Sequence, residues 1–373
     1  MTATVRERAL LGSDQIGGIL PSQAIERLIA EGAIALDRPV AADQIQPASL
    51  DLRLGPVVHR VRASFLPGGA SVAERLKELT LHTIDLEQGA VLETGCVYIA
   101  PLMERLALPA DVAAATNPKS STGRLDVFTR VIADGARAFD QIPAGYSGPL
   151  FAEISPRTFP VLARAGSRLS QLRLRRGEAR LTDAELADLQ TRARLVDDDA
   201  ADVKGGVAVT VDLKGDGEGL VGWRAKRHTG VVDVDAPGAN AVEDFWEPIR
   251  AGRSGLILDP GQFYILASRE AVQVPPDHAA EMTPFDPLVG EFRVHYAGFF
   301  DPGFGHFEAG GSGARAVLEV RSHEVPFILE HGQTVGRLVY ERMLERPATL
   351  YGELKTSNYQ GQKLKLSKHF RAP

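Results

Sequence analysis

Apolar and polar positions along this chain fall into short runs broken by Gly and Pro, and seldom into the 3.6-residue spacing of a helix. Val97-Tyr98-Ile99 and Phe263-Tyr264-Ile265 are β-rich triplets, each behind a glycine. Pro149–Ile154 and Ala314–Val320 alternate or run apolar, and each is followed by a turn and a Pro. This punctuation predicts a mainly β chain, built as a barrel or jelly-roll-type fold with a few short helices and not as a βαβ sheet. One helix is expected over Ser22–Ala30, with Ile25, Leu28 and Ile29 on one face and Ser22 as N-cap. A second is expected over Thr182–Ala193, capped by Thr182, with Leu186 and Leu189 facing inward.

The same pattern occurs twice. Gly89–Pro118 aligns with Gly255–Pro284 without a gap and with eleven identities, among them Gly95/Gly261, Tyr98/Tyr264, Glu104/Glu270 and Pro118/Pro284. The offset of 166 recurs at Glu153/Glu319, Gly166/Gly332 and Leu172/Leu338. One offset held over such a distance marks a tandem duplication. The expected organisation is a first repeat with its N-terminal helix over 1–175, a linker with a helix over 176–204, and a second repeat over 205–373, opened by Gly205-Gly206.

Composition narrows the classes. At 373 residues, with 44% hydrophobic and 24% charged positions, the chain has room for two ordinary cores. No apolar run approaches the roughly 20 residues of a membrane span, and Met1–Leu20 lacks the pattern of a signal peptide. The single Cys96 excludes an intrachain disulfide and fits a reducing, cytoplasmic compartment. A net charge of -6 argues against a nucleic-acid partner, while leaving room for a local anion site.

Four motifs carry candidate chemistry. Gln44–Gly55 reads Gln-Ile-Gln-Pro-Ala-Ser-Leu-Asp-Leu-Arg-Leu-Gly, a strand entered through Pro and left at Gly, with Asp51 and Arg53 on one side. This run, preceded by a helix, resembles the opening motif of the dCTP deaminases of the dCTP deaminase and dUTPase superfamily. Pro118-Lys119-Ser120-Ser121-Thr122-Gly123-Arg124 offers short hydroxyl donors beside two cations, a set suited to an anion or oxyanion. It is similar to the family's Ser-Ser-x-x-Arg motif, with Pro-Lys where Gly-Arg is usual. The resemblance implies that Ser120 and Arg124 hold water and substrate, and that Lys119 and Ser121 hold phosphate. His295–Gly305, containing Asp301-Pro302-Gly303, resembles the pocket hairpin, whose main chain (here about Ala297) reads the pyrimidine edge while Asp301 holds the sugar 3′-hydroxyl. Glu319 then sits inside the apolar strand Ala316-Val317-Leu318-Glu319-Val320, an expensive place for a carboxylate without a function or a raised pKa. The family keeps its general base in such a strand; Phe307–Gly313 looks inserted ahead of it. Tyr351–Lys363 resembles the C-terminal lid. There Tyr351 and Gln362 match nucleotide contacts, and Asn358 stands where a phosphate-binding Lys is usual, with Lys355 or Lys363 as compensating cations.

Neither repeat carries the whole set. The first has Ser-Ser-x-x-Arg but only Asp140-Gln141-Ile142-Pro143 in place of the hairpin; the second has the hairpin and lid but Phe285–Gly290 in place of Ser-Ser-x-x-Arg. The expectation is one composite site per chain with Glu319 as base, the alternative being Glu153. By resemblance the activity is zinc-free deamination of dCTP to dUTP and ammonia, supplying dUTP for dUMP and dTTP synthesis, with Mg²⁺ carried on the triphosphate. One cysteine cannot build a zinc-deaminase ligand set. A dUTPase, a bifunctional deaminase and dUTPase, or a non-catalytic nucleotide-binding regulator are the alternatives; dTTP is a candidate inhibitor and a homo-oligomer a candidate state.

Overall fold

The computed structural model describes residues 17–371 except 199, 216, 253–254, 285–291, 295–297, 323 and 354–356. The first copy contains α1 (Ser22–Ala30), β1 (Ser49–Arg53), α2 (Val72–Leu79), β2 (Val97–Ala107), β3 (Val112–Pro118), α3 (Ser120–Gly123), β4 (Val127–Ala133), β5 (Ser147–Pro156) and β6 (Arg168–Arg176). After α4 (Asp183–Ala193) come β7 (Val207–Thr210), β8 (Leu220–Ala225), β9 (Phe263–Val272), β10 (His278–Pro284), β11 (Phe299–Phe300), β12 (Ala314–Ser322) and β13 (Thr334–Arg342). In the first copy β3, β6 and β1 lie side by side in one sheet, and β4, β5 and β2 in another. In the second, β7, β13, β10 and β11 form one sheet, while β8, β9 and β12 are neighbours in the other.

The duplication is carried into the register. Glu153 pairs with Ile99 on β5 and β2, and Glu319 pairs with Ile265 on β12 and β9. Leu172 faces Thr116 as Leu338 faces Met282. Even a side-chain bond repeats: the Tyr98 hydroxyl accepts from Glu93 N at 3.0 Å, and the Tyr264 hydroxyl from Asp259 N at 2.9 Å. A one-residue slip would turn every core side chain outward, so a shared register means a shared core face.

The two copies pack into each other. Phe159 of the first meets Trp246 at 5.3 Å between ring centroids and Phe245 at 5.5 Å, in edge-to-face geometry, and Phe370 closes the cluster. Arg321 of the second copy pairs with Asp126 of the first and donates to Thr158 Oγ1 at 2.9 Å.

Three local details sharpen the sequence reading. Helix α1 spans the expected residues, but its N-cap is Pro21 and not Ser22: the amides of Ala24 and Ile25 already bond the Pro21 carbonyl, and Ser22 N is bound to Pro47 O at 3.0 Å. Helix α4 has Thr182 as cap in a full capping box with Glu185, and buries Leu186 and Leu189 in the second core. Helix α2 was not expected, although Ser71 and Glu74 spell the same capping box ahead of Val72, Leu76 and Leu79, all buried.

Candidate active site

The Ser-Ser-x-x-Arg segment leaves β3 through Lys119, which is extended (φ -65°, ψ 144°) and tied to β6 by its amide on Leu169 O at 2.9 Å. The chain then tightens into the single turn α3, with Thr122 N and Gly123 N on Lys119 O and Arg124 N on Ser120 O. This turn points Ser120 across the copy boundary: its Oγ lies 3.9 Å from the position a Cβ on Gly298 of the second-copy hairpin would occupy. It also sends Arg124 inward, where it is 3% exposed. Ser121, Thr122 and Gly123 of the same turn are buried as well.

Arg124 meets Glu319 at 3.7 Å between Nε and Oε1, an ion pair too long for a hydrogen bond. Its Nη1 donates to Lys365 O at 3.0 Å, and the guanidinium lies 3.9 Å from the Tyr359 ring centroid. Arg124 Nε therefore remains a buried donor without a hydrogen-bond partner. Burial pushes the Glu319 carboxyl up to about 7, with Arg124 and the residue's own amide drawing it back only in part.

The lid closes over this pair. Tyr351 packs on Phe304 of the hairpin, and its hydroxyl accepts from Tyr359 N at 3.1 Å. The end of the hairpin and the inserted loop dock the lid: Gln360 donates to Gly303 O at 3.1 Å and Ala309 O at 3.2 Å and accepts from Gly305 N at 2.9 Å. Further on, Ser367 Oγ donates to Ser121 O at 2.7 Å, and His369 sits between Ser367 Oγ and Val234 O. Gln362 donates to Arg315 O at 2.9 Å while its Oε1 is buried and unpartnered.

These elements enclose a cavity of about 300 Å³. Ser120, Arg124, Glu319, Lys119, Ser121, Asp301, Tyr351, Asn358 and Gln362 all line it; Ala297 lies outside the described residues. Val317, Met282, Phe299 and Phe300 add apolar surface. At the other end Lys119 pairs with Asp51, and Arg168 holds Asp43 at 2.8 Å and lies 3.5 Å from Asp51. Lys368 joins them; burial and then the charge of Lys119 pull its pKa down. Asp51 and Arg53 do not pair with each other: Arg53 is taken by Glu104 at 2.8 Å. Of the expected compensating cations, Lys363 is not at the cavity and Lys355 lies outside the described residues. Arg168, Lys368, Asp43 and Asp235 were missed, the first two lacking any local motif. Among the described residues no group of three or more His, Cys, Asp or Glu is placed to hold a metal ion.

Glu153 is elsewhere. It pairs with Arg130, which stacks on Phe139 at 3.5 Å and Phe128 at 4.6 Å and donates to Ser64 Oγ at 3.0 Å, and it does not line the cavity. Among the described residues no helix is long and apolar enough to cross a membrane.

Two family models together span nearly the whole chain. Residues 16–178 match the family model of the 2′-deoxycytidine 5′-triphosphate deaminase N-terminal domain, and residues 182–370 that of its C-terminal domain. A relative in Beutenbergia cavernae named "dCTP deaminase, dUMP-forming" is 32% identical over 156 residues, 41% of this chain and 77% of that protein. One in Natronomonas pharaonis named "dCTP deaminase" is 32% identical over 160 residues, 41% and 78% respectively. The crystal structure of the 2′-deoxycytidine 5′-triphosphate deaminase from Agrobacterium tumefaciens superposes with a TM-score of 0.84 at 63% identity, covering 88% of this chain and 99% of that one. With both family domains matched in order and a homologue aligned along almost its full length, this chain belongs to the dCTP deaminase family.

Proposed function

We propose that the chain hydrolyses dCTP to dUTP and ammonia at one composite site, with Glu319 of the second copy as general base and Ser120 and Arg124 of the first as donors to water and substrate. The observation that carries this reading is Glu319 itself: a buried carboxyl raised to about 7, 3.7 Å from Arg124, in a cavity lined from both copies. A base with a pKa near working pH can both take and return protons. Glu319 takes a proton from water as the oxygen adds to C4 of cytosine, and passes it to N3. It then takes the proton of the new C4 hydroxyl and gives it to the departing amine. The C4–N bond breaks, ammonia leaves, a carbonyl remains and Glu319 is again a carboxylate. Donors aimed at the water and the tetrahedral intermediate lower the barrier; Arg124 Nε, buried and without a hydrogen-bond partner, is one such donor.

The remaining groups sort by chemistry. Lys119, Arg168 and Lys368 crowd three cations at one end, as a triphosphate requires. Mg²⁺ belongs to the substrate, carried on its phosphates. Asp301 takes the sugar 3′-hydroxyl, the main chain about Ala297 is the reader of the pyrimidine edge that the resemblance implies, and Tyr351, Asn358, Ser121 and Gln362 complete the enclosure. A second reading, in which dUTP goes on to dUMP, is favoured by the relatives named "dUMP-forming". The test separates them: incubate the protein with dCTP and Mg²⁺ and resolve the products. Ammonia with dUTP supports deamination alone, ammonia with dUMP and pyrophosphate the second reading, and unchanged dCTP would end both.

A further inference from the structure

We infer that Arg173 is a positioning residue for sugar recognition, reaching from the first copy to fix the Asp301 carboxylate and the strand before it in the second. The inference rests on the reading of Asp301 as the 3′-hydroxyl ligand. Arg173 lies on β6 and is 2% exposed, yet its contacts are with the other copy. Its Nη1 donates to Ala280 O at 2.9 Å, and its Nη2 to Asp301 Oδ1 at 3.1 Å and to Phe300 O at 3.3 Å. The guanidinium lies 4.0 Å from the Phe299 ring centroid. One planar fork thus grips both strands of the β10–β11 pair and the carboxylate that follows them.

Two observations argue that the arrangement serves more than stability. A buried Arg–carboxylate pair is poor value as a stabilising device, since apolar side chains of similar volume hold such a place as well or better; here, moreover, Arg173 Nε is buried without a hydrogen-bond partner. The duplication supplies the contrast: the position 166 residues on is Val339, so the fold is built at that strand position without an arginine. Asp301 lines the cavity, its Oδ1 is held by Arg173, and no described residue bonds its other oxygen.

The test compares dCTP with 2′,3′-dideoxycytidine triphosphate, which lacks the hydroxyl. The wild-type protein should prefer dCTP by at least about tenfold in kcat/KM, because a site built to bond a hydroxyl leaves a group unpaired with the analogue. Arg173→Met should shrink that preference about tenfold or more, chiefly by raising KM for dCTP, with little change for the dideoxy compound. Asp301→Asn should do the same, and the double variant should lose no more than either single one, as expected for residues acting as a unit. A folded Arg173→Met with wild-type preference, or losses equal for both nucleotides, would overturn the inference; should that variant not fold, Arg173→Gln is judged by the same criterion. A wild-type enzyme that deaminates dCTP without discriminating overturns it while the activity stands, whereas one that turns over neither nucleotide refutes the proposed function.

Discussion

Glu319→Gln exchanges a buried carboxyl for an amide of the same shape, and its effect on stability should depend on pH in a way set by burial. The carboxyl is raised from an ordinary 4.5 to about 7 in the folded chain. Below the ordinary value it is protonated in both folded and unfolded chains and costs nothing. Between 4.5 and about 7 the unfolded chain ionises first, so wild-type stability is lost as pH rises through that window. At 1.36 kcal/mol per pKa unit the loss reaches about 3 kcal/mol by pH 8. Gln stays neutral throughout and does not suffer it. For a chain of 373 residues, at about 2.1 cal/mol/K per residue, 3 kcal/mol corresponds to roughly 4 °C in Tm. Melting curves of both proteins at pH 5, 6, 7 and 8 should therefore show a gap of about 1 °C opening to roughly 4 °C in favour of the variant. A constant gap, or a wild type that gains on the variant with rising pH, would refute the argument from burial. The same carboxyl must be ionised to accept a proton from water, so wild-type kcat/KM should fall about tenfold per pH unit below about 7; a profile flat to pH 5 would remove Glu319 as base.

Ser120→Ala and Arg124→Ala should each lower kcat by about tenfold to a thousandfold, with melting curves reporting any loss of fold at the buried Arg124; wild-type rates in both would detach the Ser-Ser-x-x-Arg segment from the chemistry. Glu153→Gln should cost stability, about 1–3 kcal/mol from the weakened pair with Arg130, and leave kcat near wild type. Gln360→Ala removes the ties of the lid to the hairpin and the inserted loop and should raise KM for dCTP about tenfold with a smaller effect on kcat. Activity lost on chelation should return with Mg²⁺; recovery with zinc alone would contradict a metal-free centre.

Much of this architecture was legible because duplication and capping are written locally. Eleven identities at one offset led to two copies whose strands share a register, and Thr182 with Glu185 marked the start of α4. The same logic applied to Ser71 and Glu74, with Val72, Leu76 and Leu79 spaced along one face, marks α2 in the sequence as well. Glu319 could be picked out because a carboxylate inside an apolar strand is costly wherever the strand packs. Arg173, Arg168 and Lys368 could not. Arg173 and Asp301 are 128 positions apart, and nothing near Arg173 distinguishes it from the other basic residues of β6; only the seating of one copy on the other brings it to the hairpin. The lid cation was expected at Lys355 or Lys363, inside the motif, whereas Lys368 reaches the cavity from beyond it because Ser367 ties the tail to Ser121 of the first copy and His369 ties it to Val234.

In the proposed arrangement two incomplete copies make one site. Titration calorimetry of Glu319→Gln with dCTP and Mg²⁺ tests it most directly, since this variant should bind but not turn the nucleotide over. The expected result is one dCTP per chain, with turnover abolished in Glu319→Gln and retained in Glu153→Gln. Two nucleotides per chain, or an active Glu319→Gln beside a dead Glu153→Gln, would contradict it.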